Sequence, residues 1–295
     1  MPRIASLEAL QRAAAGFEVM DLELMIEPSA RAAARRSLDH SGLLLLSEVH
    51  GVRENPLIIR ALMHALGMSG LALEWPGDLA GVISAFAAGS MLADHPLLWL
   101  GDGRITAGHL AVLRERARAG QLDLALFDGT TDADEDWPQR GEAMAARILA
   151  GATAASGTLA VAGSTDTPAI SASPGVPLST RLSRQRPGVL DIRISYGRGG
   201  YYNMRPSQIH PSISIWPSQI RLYQKHGSLI LELPTATEAT VPHRPRPWPQ
   251  LPLTVLRPRH ERMYLSCRRG QLWSVHGRLS SRGIDLSPEL YRIMT

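Results

Sequence analysis

Short runs of consecutive apolar residues alternate along this chain with longer stretches in which apolar positions recur every three or four residues. The first clear run, residues 42–46 (GLLLL), suits a strand buried on both faces. Residues 54–67 then carry Leu57, Ile58, Ala61, Leu62, Ala65 and Leu66 along one helical face, with Pro56 tolerated in the first turn. The alternation continues with a strand at 71–74, helices at 79–88 and 106–119, a strand at 123–127, a helix at 138–149, and strands at 158–162 and 190–195. An Ala-rich helical lead-in covers 6–38. Strands separated by helices of ten or more residues predict an α/β fold, a mainly parallel sheet flanked by helices.

The texture changes after about residue 206. Prolines 242, 245, 247, 249 and 252 crowd together, and short extended runs at 219–223, 228–233, 262–267 and 271–276 replace amphipathic helices. Gly227 and the Arg269-Gly270 pair stand where hairpin turns belong. Two parts are therefore expected: an α/β domain over 1–205 and a basic, β-rich C-terminal extension over 206–295.

Charge sharpens that division. Residues 1–150 carry 13 Arg against 20 Asp and Glu, a net −7, whereas residues 151–295 carry +11, which together give the +4 of the whole chain. An acidic half in front of a basic half favours packing of the two parts over nucleic-acid binding by the second, although its arginines are interleaved with aromatics. The remaining composition excludes several classes. With 44% hydrophobic and 20% charged residues the 295-residue chain is globular rather than disordered. No apolar run approaches the roughly 20 residues of a membrane span, and the N-terminal stretch lacks the compact apolar core of a signal peptide. The single cysteine, Cys267, excludes an internal disulfide. A soluble, cytoplasmic protein is expected; its oligomeric state is left open.

Ligands of parallel α/β sheets bind outside the carboxyl ends of the strands, so the residues that follow each strand are the informative ones. They are Ser47-Glu48-Val49-His50-Gly51 after the first, Glu74 at the second, Asp128 at the third and Gly163-Ser164-Thr165-Asp166 after the fourth. Acids that meet a histidine in one cleft can hold a divalent cation or support general acid–base chemistry; taken singly, each could also be a helix cap. Gly197, Gly199 and Gly200, followed by Tyr201, form either a substrate-contacting loop or a plain turn. The acidic run Asp132, Asp134, Glu135 and Asp136 reads as favourable charge at a helix start or as a cation-attracting loop. His64 is expected on a solvated helix face, and His109 as a helix residue rather than a ligand.

The segment LLLLSEVHGVRENPLIIRALMHALGMSGLALEWP resembles the opening of the erythromycin-esterase-like, haem-uptake ChaN-like and Tiki superfamily. Its members show a strand ending in G-E-x-H, a helix, and a second strand ending in glutamate. The resemblance continues through Gly101-Asp102-Gly103-Arg104, Phe127-Asp128, the stretch 140–148 and TLAVAGSTDT, covering about residues 40–205. It implies a hydrolase that cleaves an ester, lactone or amide of a small molecule or peptide by water attack. His50, Glu48 and Glu74 would be catalytic, with Arg104, Asp128 and Tyr201 touching substrate. It also implies a divalent metal (Mn, Zn, Co or Mg) on His50, Glu48, Glu74 and Asp166, or, alternatively, a non-catalytic ligand- or haem-binding protein on the same scaffold. Two positions depart from the family pattern: Ser47 replaces a glycine, and Asp166 stands where a second histidine is usual. A third expectation, from a different class, is an interaction module whose basic tail recruits an acidic partner.

Overall fold

The computed structural model describes residues 3–129, 137–152, 157–163, 176–203, 205–209, 219–244 and four short strands beyond them. The elements run in chain order as follows. Strand β1 (Arg3–Ile4), helix α1 (Leu7–Ala15), strand β2 (Leu24–Ile26) and helix α2 (Pro28–Ser41) lead into β3 (Leu43–Glu48). Next come α3 (Asn55–Leu66), β4 (Gly70–Pro76), α4 (Ala80–Ala87), α5 (Ala107–Arg118), β5 (Asp123–Asp128), α6 (Trp137–Gly151), β6 (Thr158–Gly163) and α7 (Leu178–Gln185). The chain continues through β7 (Leu190–Asn203), β8 (Arg205–Ile209), β9 (Ile220–Lys225), β10 (Ser228–Ala236) and β11 (Val241–Pro242). Strands β12 (Arg262–Cys267) and β13 (Gln271–His276) form an antiparallel pair, as do β14 (Leu279–Ser280) and β15 (Gly283–Ile284).

Nine strands form one sheet in the order β2-β9-β10-β7-β3-β6-β4-β5, with β8 folded antiparallel onto the end of β7. Apart from that hairpin and the antiparallel β9–β10 pair, neighbours are parallel. The expected α/β class with a mostly parallel sheet is therefore observed. The leucine run of β3 lies at the centre, every residue buried, and its alternation feeds two cores: Leu44 and Leu46 join one apolar cluster, Leu43 and Leu45 the other. Side chains on successive strand residues point to opposite faces, so a strand covered on both sides must be apolar throughout.

The expected division at residue 205 is not where the fold divides. Compact packing separates Met1–His243 from Arg244–Thr295. The runs at 219–223 and 228–233 are strands, as expected, but β10 lies between β7 and β9 inside the main sheet. The N-terminal lead-in is likewise two helices with β2 between them, and β2 pairs with β9. The glycines at 197–200 are not a loop either. They lie within β7, where Gly199 pairs with both Ala236 and Ile209. Substituting Gly199 would drive a Cβ to 1.9 Å from the Ala236 carbonyl oxygen, so these glycines serve close strand packing. Helix α7 had no counterpart in the expectations. The prolines at 245–252, the acids at 132–136, Ser164 and Asp166 lie outside the described residues. Among the described residues no helix is long and apolar enough to cross a membrane.

A chain ended after residue 205 would lose β9 and β10 from the sheet and leave β7 an unpaired edge. It is expected to be insoluble or to lack a cooperative urea transition, whereas a chain ended after residue 243 retains one; equal behaviour of the two truncations would contradict this topology.

Candidate functional site

Glu48 ends β3, and Glu74 lies in the irregular stretch of β4, where the register against β5 shifts between Leu73 and Pro76. Such bulges re-aim side chains near sites. Asp128 ends β5, so three strand ends deliver carboxylates to one edge, as the sequence led us to expect. All three are buried: Glu48 is 2% exposed, Glu74 7% and Asp128 3%. Ionised carboxylates removed from water need counter-charge and hydrogen bonds, and the neighbouring chain supplies them to all but Glu48 Oε2, which is buried without a hydrogen-bond partner among the described residues.

His50 lies between two of them. Its Nδ1 is 3.2 Å from Glu48 Oε1, and its Nε2 is 3.8 Å from Glu74 Oε2. An ionised carboxylate only accepts, so Nδ1 carries the proton and Nε2 is left as the basic nitrogen of the neutral ring. Burial opposes the imidazolium, but the Glu48 hydrogen bond and the charges of Glu74, Glu48 and Asp102 outweigh it and raise the His50 pKa above its ordinary 6.5. Gly163, paired with Glu48 across β3 and β6, donates its backbone N–H to Glu74 Oε2 at 2.7 Å. A Cβ there would stand 2.8 Å from His50 Nε2, so the ring needs a glycine beside it.

Two arginines close the charge account. Arg104 donates from Nε to Asp102 at 2.7 Å, from Nη1 to the Glu74 carbonyl at 3.2 Å, and from Nη1 to Asp128. Arg140, near the start of α6, bonds Asp128 Oδ1 at 3.0 Å and Glu74 Oε1 at 3.2 Å. Burial disfavours both guanidinium charges, yet the surrounding carboxylates raise both pKa values. Arg104 is thus fixed by carboxylates, and the site's anions are shared among paired donors.

Backbone contacts join the two loops that carry these groups. Gly51 donates its N–H to the Gly103 carbonyl at 3.0 Å, and the Gly51 carbonyl accepts from Tyr202 at 3.0 Å and Ala239 at 2.9 Å. Gly51 has φ 75° and Gly103 φ 82°, and a Cβ at either would meet the Tyr202 carbonyl oxygen at 1.8 or 2.4 Å. Only glycine fits such an approach at positive φ.

The structure brings His50, Glu48, Glu74, Asp128 and Arg104 together. Tyr201 is half-buried on β7, packed against the larger apolar cluster, and its neighbour Tyr202 donates its N–H to the Gly51 carbonyl. His64 is exposed, as expected. His109 is a helix residue as expected, but it lies closer to the chemistry than that reading implied. It is 3% exposed, edge-on to Trp75, with Nδ1 2.9 Å from Thr106 Oγ1. Burial and the neighbouring His50 charge lower its pKa, while Glu48 pulls the other way. Asp102, Arg140 and Gly163 were not singled out from sequence, although Asp102 and Arg140 lie inside the stretches that carried the resemblance. Among the described residues no three His, Cys, Asp or Glu side chains are grouped to hold a metal ion. The reason is local: the oxygens of Glu74 and Asp128 already accept from arginines or the Gly163 N–H, and Glu48 Oε1 holds His50. Glu48 Oε2 has no such partner, and the fourth expected ligand, Asp166, lies outside the described residues.

No protein-family model matches the chain, and neither a curated protein nor a solved structure matches it significantly.

Alanine at Gly51 is expected to destabilise the fold by at least about 1–3 kcal/mol from backbone strain alone, because the Tyr202 carbonyl cannot move without breaking β7. Urea denaturation of the G51A protein measures this; a loss within error of zero would mean the loop can be repacked.

Proposed function

We propose that the chain is a hydrolase that cleaves an ester, lactone or amide, with His50 as the general base. The observation that carries this reading is the imidazole held at Nδ1 by Glu48, with Nε2 beside Glu74 and Gly163 and the side chain 16% exposed. A base needs an orienting partner on one nitrogen and room at the other. The resemblance of the S-E-V-H-G and L-E-W-P segments to the erythromycin-esterase-like superfamily supports the same chemistry.

In the reaction, a water bound near Nε2 gives its proton to His50 as its oxygen attacks the substrate carbonyl carbon. Glu48 stabilises the imidazolium that forms, as a buried carboxylate does for a triad histidine. The carbonyl π bond opens to a tetrahedral oxyanion, for which Arg140, its side chain 24% exposed against 13% for Arg104, is the more accessible cationic donor. Collapse of the intermediate breaks the bond to the leaving oxygen or nitrogen, which takes the proton from Nε2. Glu74, held by the Gly163 N–H and Arg140, keeps the ring between two negative charges throughout.

A panel of activated esters, lactones and amides tests the reading. Replacing His50 by Ala should lower kcat/KM by about 10²–10⁴-fold on any substrate turned over, and EDTA should leave the wild-type rate unchanged. Wild-type activity in the H50A protein would overturn the assignment. A rate abolished by EDTA and restored by one divalent ion would transfer water activation to a metal.

The base must be neutral to act, and its pKa is raised above 6.5. The acid limb of the kcat/KM profile should therefore lie above pH 6.5, with activity falling as His50 protonates below it; a limb below 6.5 would contradict the carboxylate environment. Substitution of Gly163 by Ala, which needs no change of backbone φ, should cut kcat by displacing the His50 ring while largely sparing the urea midpoint.

A further inference from the structure

The peptide group between Glu48 and His50 lies just beyond the sheet. The β3 ladder ends at Ser47 on its β7 side and at Glu48 on its β6 side. Val49 lies beyond the last ladder pairs, and its half-buried N–H and C=O each need a partner. Two side chains from distant elements supply it. Tyr196, on β7, accepts from Val49 N–H at 3.0 Å and donates its hydroxyl hydrogen to Asn55 Oδ1 at 2.9 Å. Asn55, the first residue of α3, donates from Nδ2 to the Val49 carbonyl at 2.9 Å. Both side chains are enclosed: Asn55 is 0% exposed and Tyr196 9%. The circuit closes on itself, with each polar atom assigned one role.

We infer that Tyr196 and Asn55 are positioning residues for the His50 base, acting as one unit that clamps the Val49 peptide and so sets the Glu48-to-His50 geometry. The inference rests on the reading of His50 as the base. Glu48 and His50 flank Val49: its N–H lies in the peptide group shared with Glu48 and its C=O in the one shared with His50, so the two bonds hold both links between the pair. Their Nδ1–Oε1 separation of 3.2 Å is already at the long end of a hydrogen bond and tolerates little further drift. Burial, and then the charge of Glu48, push the Tyr196 phenol well above its ordinary pKa, so it remains a donor at every pH at which the base is neutral. Neither residue touches the space beside Nε2 through any of these bonds; both act through Val49.

The test compares wild type with Y196F, N55A and the double variant by ester kinetics and by hydrogen exchange of the Val49 amide. Either single change should lower kcat by about 10–100-fold with KM within about twofold, as small misplacements of a reacting group do, and should speed Val49 exchange. Because the two residues work as one circuit, the double variant should lose no more than the worse single one. N55D keeps the acceptor for Tyr196 but loses the donor to Val49, so it should share the kcat defect and the faster Val49 exchange, with a lower thermal midpoint from its buried carboxylate. The inference is overturned by a Y196F or N55D protein with wild-type kcat and Val49 exchange, by multiplicative losses in the double variant, or by a fall in thermal midpoint alone. If wild type hydrolyses nothing on the panel, the functional reading falls separately. Val49 exchange, together with the rate at which diethyl pyrocarbonate modifies the His50 peptide, then still decides whether the clamp orders this segment.

Discussion

A carboxylate at the end of a buried strand cannot ionise unless something nearby repays its lost hydration. That constraint organises the chemical end of this protein. Glu48, Glu74 and Asp128 emerge from three strands of one sheet within reach of Arg104, Arg140 and His50, and the ion pairs among them tie together α6, β3, β4, β5 and the loop before α5. Breaking one partner of such a group leaves an uncompensated buried charge, which costs more than the intact pair contributes. The cluster is accordingly a fixed frame around the His50 imidazole, whose pKa those charges raise.

Strand, bulge and glycine each contribute to holding that frame at the right spacing. The leucine run of β3, paired on both sides, anchors Glu48 in the middle of the sheet, where Glu48 itself pairs with Gly163 of β6. The register shift in β4 falls at Glu74 and Trp75, and the Trp75 indole in turn donates to the Arg104 carbonyl at 3.0 Å. Gly163 lets the imidazole lie flat against β6. Local irregularity is thus concentrated where the charges meet, and regular ladders surround it.

Much of this was legible because a doubly covered parallel sheet writes itself plainly: the leucine run of β3 and the stripe of α3 have one reasonable interpretation each, and strand-end acids follow from the α/β pattern. The partners of those acids were harder to see. Arg140 lies twelve residues beyond Asp128 on a helix whose inner face is apolar, and nothing in its spacing distinguishes it from a solvated arginine. Tyr196 sat in a segment that reads equally as strand or loop, and its role depends on where β3 stops pairing, which is a property of the assembled sheet. The domain boundary failed for a related reason. Proline density and charge marked a change of composition near 206, but strand order is decided by which edges remain open, and β10 fills one of them.

Strand order also has a temporal side. β2 is made almost two hundred residues before β9, its sheet neighbour among the described residues, and β1 pairs with β11 across a still longer stretch of chain. At roughly 5–20 residues per second of synthesis, the first strands wait on the order of ten seconds or more for their partners to leave the ribosome. During that interval helices α1 to α7 can form locally in turn, and once β7 is made its edge lies open until β10 arrives. Completion of this sheet is therefore a late event, governed by residues far from the chemistry, and the newborn chain is most exposed to mispairing just before its last strands arrive.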